Sequence, residues 1–449
     1  MSSSAPVSSQ QLSPDPLPSQ PRGWLLAAAA LIPVNLAPSL LLALVGTIQG
    51  YTRCGGRILR DPLFGLAALL SLAAVGVAFL GEDWRLSLPG MFNYWPFLLM
   101  LPAFAAVLAD RVSGTESFRV SGTESFRVSG TESCPVGRRR LAQVLVLGSG
   151  LMLLLGWGEV LWGWQGHFFW GPVWITGVAG GERPAAAFTS PNTLAIYLVI
   201  HLCLAAGLWL DQADKDWPRV VGLGAVLGLG SLLLLLTASR NGWGVGGLAL
   251  MMGLALRRCW WGIGILAGLG LAGLAAAWDW PGWRAVVPRL IWSRLADTFD
   301  PQALHFSSTA NRLDAWQFAL QMARERPLTG WGWQSFAALY NAQEPPELLG
   351  HCHNLYLHLA AEGGIPLLLG HLILWGWILA RGWQAWRRSQ ESVLLGMLLA
   401  LTAFFASGLL DVVMLDGRIH LLVTLLLGAV WGASLEQRST KGQCNQDLG

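Results

Sequence analysis

The sequence predicts an all-α fold: a polytopic membrane helix bundle of about eleven spans, with one long extracytoplasmic loop of short helices. Three observations predict it. Of 449 residues, 53% are hydrophobic and 12% charged, with a mean hydropathy of +0.48. A soluble domain carries about 25% charged residues, and half that share cannot cover the surface of a soluble protein of this size. Next, the apolar residues gather into charge-free runs near the roughly 20 residues that a helix needs to cross a hydrocarbon core. Lipid offers backbone groups no partner, so such runs must be helical. Last, many of the 25 tryptophans stand at the ends of runs, where amphipathic rings favour the headgroup level.

In chain order, residues 1–23 are rich in Ser, Pro and Gln, lack a basic signal-peptide start, and read as a disordered tail. The first part of the bundle occupies 24–280. Its spans run from Trp24 to Val45, Leu63 to Leu80, Phe92 to Ala109, Leu141 to Trp164, Asn192 to Leu210, Val220 to Leu236, Trp243 to Leu256 and Trp260 to Trp278. The first contains Pro33, Asn35 and Pro38 and reads either as one span or as a broken, re-entrant pair. After the third span, the octapeptide RVSGTESF starts at Arg111 and again at Arg119, with a partial copy from Arg127. It has no apolar period and reads as a tolerated insertion. Residues 281–363 are too charged to span yet rich in Trp, Leu and Phe. They predict a large periplasmic loop of short helices lying on the bundle, and loops of this length are usually functional. Residues 364–435 complete the bundle with spans from Gly364 to Ala380, Val393 to Leu410 and His420 to Ala433, and 436–449 form a cytoplasmic tail.

Orientation follows from Arg53, Arg57 and Arg60; Arg138, Arg139 and Arg140; Arg257 and Arg258; and Arg381, Arg387 and Arg388. Basic loops face the cytoplasm, so alternation places 81–91, 165–191, 239–242 and 281–363 outside. A single first span would leave the N-terminus outside as well, whereas a re-entrant pair returns it. No basic run suits a nucleic acid. The six cysteines are scattered without a CxxC pair, so neither a zinc site nor a disulfide framework is expected.

Three outer clusters could carry chemistry. Arg240, in Ser239-Arg240-Asn241-Gly242-Trp243, lies in a turn between two very apolar helices. An arginine there is costly without a partner, and reads as a snorkelling anchor or as an anion ligand. Arg312 and Trp316 are four apart and share a helix face, which is either solvated or part of a site. His351-Cys352-His353-Asn354 precedes Tyr356 and His358. Histidine suits proton transfer near neutral pH, though polar residues also suit a helix start. No second carboxylate cluster completes a metal site with these histidines, so no metal is expected.

These stretches, in this order, resemble the O-antigen ligase and polymerase family of bacterial membrane glycosyltransferases. The residues that carry the resemblance are SRNGW at Ser239, NRLDAWQFALQMARERPLTGWGWQSF at Asn311, HNLYLHLAAEGGIP at His353, and RPAAAFTSPNTLAIYL from Arg183. The resemblance runs from Arg183 to the last span. It implies a GT-C-like bundle in the bacterial inner membrane, working in envelope polysaccharide or lipopolysaccharide synthesis. It implies a metal-independent transfer without cofactor, from a polyprenyl-diphosphate-linked glycan to a hydroxyl of a sugar or lipid-glycan acceptor, at the periplasmic face. It implies His353 as the catalytic base, Arg240, Arg312 and Arg183 as diphosphate ligands, and Asn354, Trp316 and Tyr356 as acceptor or sugar contacts. Guanidinium forks suit this task because a diphosphate leaving group gains negative charge. Trp331, Trp333 and Tyr340 offer further faces for sugar rings.

Two rival readings stay open. Glu82 and Asp83, in an early outer loop, could serve a carboxylate- or metal-dependent lipid-linked glycosyltransferase, unless they cap a helix. Interior His201, His371 and His420 could line a path in a bicarbonate-uptake-related transporter, unless they pack with a hydrogen bond to a neighbouring helix. Transporter sites lie near the midplane on broken helices, whereas these arginines and the His-Asn pair gather at the outer surface. Ligase and polymerase share a donor and differ in acceptor, and no residue here separates them.

Overall fold

Pro33 and Asn35 decide how the chain enters the bundle. In a computed structural model, which describes residues 21–109, 136–170, 173–178, 183–211, 216–298, 307–343 and 349–446, they break the first apolar stretch in two. Helix α1 (Pro21–Leu31) ends where Val34 and Asn35 donate to the Leu31 carbonyl, and the Asn35 side chain accepts from Ala37 N–H at 2.9 Å to start α2 (Leu36–Ile58). Of the two readings of this stretch, the broken pair holds. Arg22 donates to the Val107 carbonyl at 3.3 Å, and a Cβ on Gly137 would meet Arg22 Nε. The start of α1 therefore lies at the same end of the bundle as the Arg138–Arg140 run, which removes the conflict in orientation. The octapeptide repeat lies outside the described residues.

The remaining helices are α3 (Pro62–Leu80), α4 (Trp84–Met91), α5 (Trp95–Leu108), α6 (Val136–Trp162), α7 (Pro191–Leu210), α8 (Trp217–Leu236), α9 (Arg240–Leu256), α10 (Trp260–Ala277), α11 (Trp283–Val286), α12 (Arg289–Ala296), α13 (Ser307–Glu325), α14 (Ser335–Asn341), α15 (Leu355–Gly363), α16 (Ile365–Ser389), α17 (Ser392–Ser407) and α18 (Gly417–Gln446). The expected helical bundle is what the chain forms. Among the described residues it also includes an antiparallel hairpin, β1 (Gly166–Trp170) with β2 (Val173–Val178), between α6 and α7. Among the described residues, eight helices are long and apolar enough to cross a membrane, and Arg22–Leu31, Leu36–Thr52 and Ser392–Ser407 are shorter apolar helices. The protein is thus a multi-pass membrane protein.

Two expected boundaries move. The chain stays helical through Arg381, Arg387 and Arg388, which the basic-loop reading placed in a connection. Arg381 is instead buried and grips both Asp61 oxygens at 2.9 Å, while Asp61 also caps α3. An unpaired charge there would be costly, so the pair is what lets an arginine lie inside the bundle. The last helix continues to Gln446, through most of the expected tail.

Burial sorts the spans into layers. The apolar windows of α18 and α7 are 89% and 72% buried, whereas those of α8 and α10 are 17% buried. The first pair forms the centre and the second pair faces lipid. Hydrophobicity alone does not hold helices together in lipid, so close approach of backbones matters. Gly207 of α7 and Gly396 of α17 supply it: a Cβ on either would fall 2.6–2.8 Å from a backbone oxygen of the other helix.

Charges divide between two ends. At one end, Arg138 bonds Glu391 at 3.0 Å and Glu436 at 2.9 Å, Arg139 pairs with Asp211, and Arg257 donates to Ser392. The other end carries the clusters singled out above, covered by α11 to α15. Asp83 caps α4 there, and Glu82 pairs with Arg326 while its N–H donates to the Trp331 carbonyl. Both acids of the early loop are thus committed to local structure.

Candidate active site

Three helices begin at this second end, and each start is written into the sequence. Ser190 caps α7 ahead of Pro191, accepting from Asn192 N–H at 3.1 Å. Ser239 caps α9, accepting from Gly242 N–H at 3.2 Å. Asn354 caps α15, accepting from Tyr356 and Leu357 N–H at 3.0 Å. Side-chain caps relieve the unbonded N–H groups of a first turn, and each helix start carries a partial positive charge.

Four guanidinium groups lie within electrostatic reach among these starts. Arg183 donates through Nε to the Thr237 carbonyl at 2.6 Å and through Nη2 to Asn192 Oδ1 at 3.3 Å. Arg240 donates to Thr298 Oγ1 at 2.6 Å. Burial, then the charges of Arg294, Arg240 and Arg312, pull the Arg183 guanidinium down to about 10. Arg312 and Arg294 act on Arg240 in the same way, and Arg312 acts on His351. The three arginines singled out from sequence are therefore brought together. Arg294 joins them from α12, with Asp297 at 3.5 Å as its own counter-ion. Among the described residues, no carboxylate lies within ion-pair distance of Arg183, Arg240 or Arg312. Like charges held close and partly desolvated repel, so the cluster is short of an anion.

His353 stands beside this cluster. Its Nδ1 lies 3.3 Å from Asp411 Oδ1, and Asp411 Oδ1 also accepts from Val412 N–H at 2.9 Å. Asn192 Nδ2 donates to the other Asp411 oxygen at 3.1 Å. A continuous chain thus runs Arg183, Asn192, Asp411, His353. Burial alone would raise the Asp411 carboxyl, but the His353 hydrogen bond and the imidazoles of His351 and His353 outweigh it and hold the group down at about 2. A carboxylate on Nδ1 fixes the imidazole proton there and leaves Nε2 able to accept one. His353 keeps 23% of its side chain exposed, against 6% for Asp411, so the acceptor nitrogen belongs to a reachable ring on a buried support. The His353 backbone has φ +55°, a conformation that side chains rarely adopt and that gathers at functional sites.

Asp411 was missing from the sequence reading, which found no carboxylate to go with the histidines. The signal was an acid at the end of an apolar run, Leu409-Leu410-Asp411, where an ionisable residue is expensive. Its partners are 58 and 219 residues away in sequence, beyond any local spacing. His351, His353 and Asp411 each offer one ligand atom, and these atoms lie within 4.8 Å of one another. The set has the chemistry to hold a metal ion.

The expected sugar contacts fare unevenly. Trp316 is half-buried on the Arg312 face of α13, and its indole N–H has no partner among the described residues. Asn354 has both polar atoms in use, since Nδ2 donates to the Leu409 carbonyl at 3.1 Å. The Tyr356 hydroxyl donates to the Phe405 carbonyl at 2.6 Å. Asn354 thereby ties the start of α15 to the Asp411 loop, and Tyr356 ties it to α17 just before that loop. Trp333 and Tyr340 are buried core residues, and Arg326 covers the Trp331 ring at 4.2 Å, so these three do not present the free faces expected of them. Cys352 is buried and its thiol is pushed up to about 12, chiefly by burial.

The interior histidines are structural in their contacts. His201 and His371 bond carbonyls one turn back in their own helices, at 2.7 and 2.9 Å, rather than a neighbouring helix. His420 stacks on Phe97 at 3.8 Å.

Comparison with known proteins bears on part of the site. No curated protein matches the chain. Residues 224–372 match the family model described as O-antigen ligase, a span that holds Arg240, Arg294, Arg312 and His353 and leaves Arg183, Asn192 and Asp411 outside it. Over those residues, about a third of its length, the chain is similar to the O-antigen ligase family, a likeness that supports a glycan-transfer function of the ligase or polymerase kind.

Proposed function

We propose that the chain transfers a glycan from a polyprenyl-diphosphate donor to a sugar hydroxyl at the periplasmic face of a bacterial inner membrane. The observation that carries this reading is a cluster of arginines, three of them without a carboxylate at ion-pair distance among the described residues, beside a His–Asp pair. Arg183, Arg240 and Arg312, joined by Arg294, hold the diphosphate. His353 Nε2 takes the proton of the acceptor hydroxyl as that oxygen attacks the anomeric carbon. The bond from that carbon to the diphosphate oxygen breaks, and polyprenyl diphosphate leaves with the electron pair. The guanidinium groups stabilise the charge that it gains, as fixed donors do best in a site that excludes water. Asp411 is a positioning residue, which holds the proton on Nδ1. Trp316 offers a ring face to the sugar, and Asn354 and Tyr356 hold the His353 segment in place.

Binding of polyprenyl diphosphate to the purified full chain in nanodiscs tests the donor site. A hydrogen bond to a charged group is worth about 1.5–3 kcal/mol, so Arg240→Ala or Arg312→Ala should weaken binding about tenfold or more. Unchanged binding in both variants would contradict the assignment. One observation favours a second reading: the His351, His353 and Asp411 triad could hold a metal ion that activates the acceptor. Transfer lost on chelation and restored by added metal would select it.

A further inference from the structure

Asn192 stands where the arginine cluster meets the His–Asp pair. Its Oδ1 accepts from Arg183 Nη2 at 3.3 Å, and its Nδ2 donates to Asp411 Oδ2 at 3.1 Å. A guanidinium only donates and a carboxylate only accepts, so the two partners fix which way the amide faces. The backbone beneath it is fixed as well. Asn192 follows Pro191 in the first turn of α7, and its N–H donates to the cap residue Ser190. It lies outside the residues that match the family model.

What this link does follows from the two oxygens of Asp411. Oδ1 faces His353 Nδ1 and accepts from Val412 N–H. Oδ2 accepts from Asn192, on a side chain only 6% exposed. The torsion that carries a carboxylate is broad, so bonds to one oxygen leave the other free to swing. Such a swing draws Oδ1 off the imidazole, and the proton is then no longer held on Nδ1. The amide of Asn192 prevents it, and neither near-isostere replaces that amide. An aspartate would face Asp411 with like charge, and a leucine would leave Oδ2 buried and unpaired. Arg183 depends on Asn192 less, since its Nε also donates to the Thr237 carbonyl at 2.6 Å.

We propose that Asn192 is a positioning residue for the base: it holds the Asp411 carboxylate in line with His353 and ties it to Arg183 of the donor cluster. The inference rests on the transfer reading for what the base does, though not for the geometry that Asn192 imposes on it.

Glycan transfer by the full chain in reconstituted membranes tests it, with Asn192→Leu and Asn192→Asp. Each should lower kcat about tenfold or more, the worth of one hydrogen bond to a charged group. Asn192→Leu should leave the KM for the donor within about twofold. In an Asp411→Ala background, Asn192→Leu should cost no more than about twofold further, because it acts through that carboxylate, whereas a merely structural loss would multiply. The inference is overturned if Asn192→Asp, which can still accept from Arg183, keeps its kcat. It is overturned equally if the donor KM of Asn192→Leu rises as far as its kcat falls, or if the two losses multiply. A second measurement needs no transfer. The nitrogen NMR signal of His353, assigned by its loss in His353→Ala, should show a proton held on Nδ1 in the unaltered chain and a mixture of tautomers in Asn192→Leu. An unchanged tautomer in Asn192→Leu overturns the inference, whereas a chain that moves no glycan yet shows this change would refute the transfer reading alone.

Discussion

At the scale of single residues, the site depends on what each group leaves free. His353 gives Nδ1 to Asp411 and keeps Nε2, on a ring that is partly exposed. A positioned base contributes about 100- to 10,000-fold in rate, so His353→Ala should cost that much in glycan transfer while the protein still inserts and folds. Asp411→Asn should lower kcat while leaving polyprenyl diphosphate affinity within twofold or so, since the amide supports either ring tautomer; an equal loss of donor affinity would make Asp411 part of the donor site. Arg312→Lys should also impair transfer, because an ammonium lacks the planar fork that grips two oxygens. Asp411 further makes a prediction for stability. Its native carboxyl is held at about 2, below the ordinary value, so its contribution is present above pH 4 and is lost as pH falls towards 2. Thermal unfolding in detergent should show this acid slope, and Asp411→Asn should flatten it. Arg240, Arg312 and His353 were legible in the sequence because their neighbours are local. Asp411 and Arg294 were not, because tertiary contact alone gives them meaning.

At the scale of elements, α15 and the loop before α14 form one joint. Trp331 and Gly332 N–H donate to the Ala361 and Glu362 carbonyls, and the Glu362 carboxyl accepts from Phe336 N–H at 3.1 Å. Gly330 has φ +66°, and a Cβ there would fall 2.2 Å from the Glu362 carbonyl oxygen. Gly330→Ala should therefore destabilise by about 3 kcal/mol or more, combining left-handed strain with a backbone clash. A change in unfolding temperature no larger than that of an exposed control such as Gly350→Ala would contradict this. Glu362 is raised to about 8, chiefly by burial. The native state then binds more protons than the unfolded chain between about pH 4.5 and 8, so stability should fall as pH rises across that window, and Glu362→Gln should remove the slope. Long apolar helices such as α3 and α7 were legible because length and hydropathy define them. The ends of α16 and α18 were not, since Arg381 is tolerated in a helix only through its pair with Asp61.

At the scale of the whole molecule, polar chemistry is sorted to opposite ends of one bundle. Carboxylate-paired arginines hold one end together, while at the other Arg183, Arg240 and Arg312 gather without a carboxylate at ion-pair distance among the described residues. Single cysteines at positions 240, 312 and 353 should react with an impermeant reagent from outside intact cells, and cysteines at 257 and 388 only after disruption. The alternation of basic loops made this division legible from sequence, and the broken α1–α2 pair settled the one point where it conflicted. What the sequence could not convey is the convergence itself, since the Arg183, Asn192, Asp411, His353 chain joins segments up to 219 residues apart. That convergence is also what the functional reading rests on. It is tested most directly by glycan transfer from a polyprenyl-diphosphate donor in reconstituted membranes, comparing the unaltered chain with His353→Ala and Arg312→Ala, each with and without chelator. Transfer that ignores chelator and collapses in both variants is the predicted result; transfer that survives His353→Ala, or that chelator abolishes in the unaltered chain, would contradict the account.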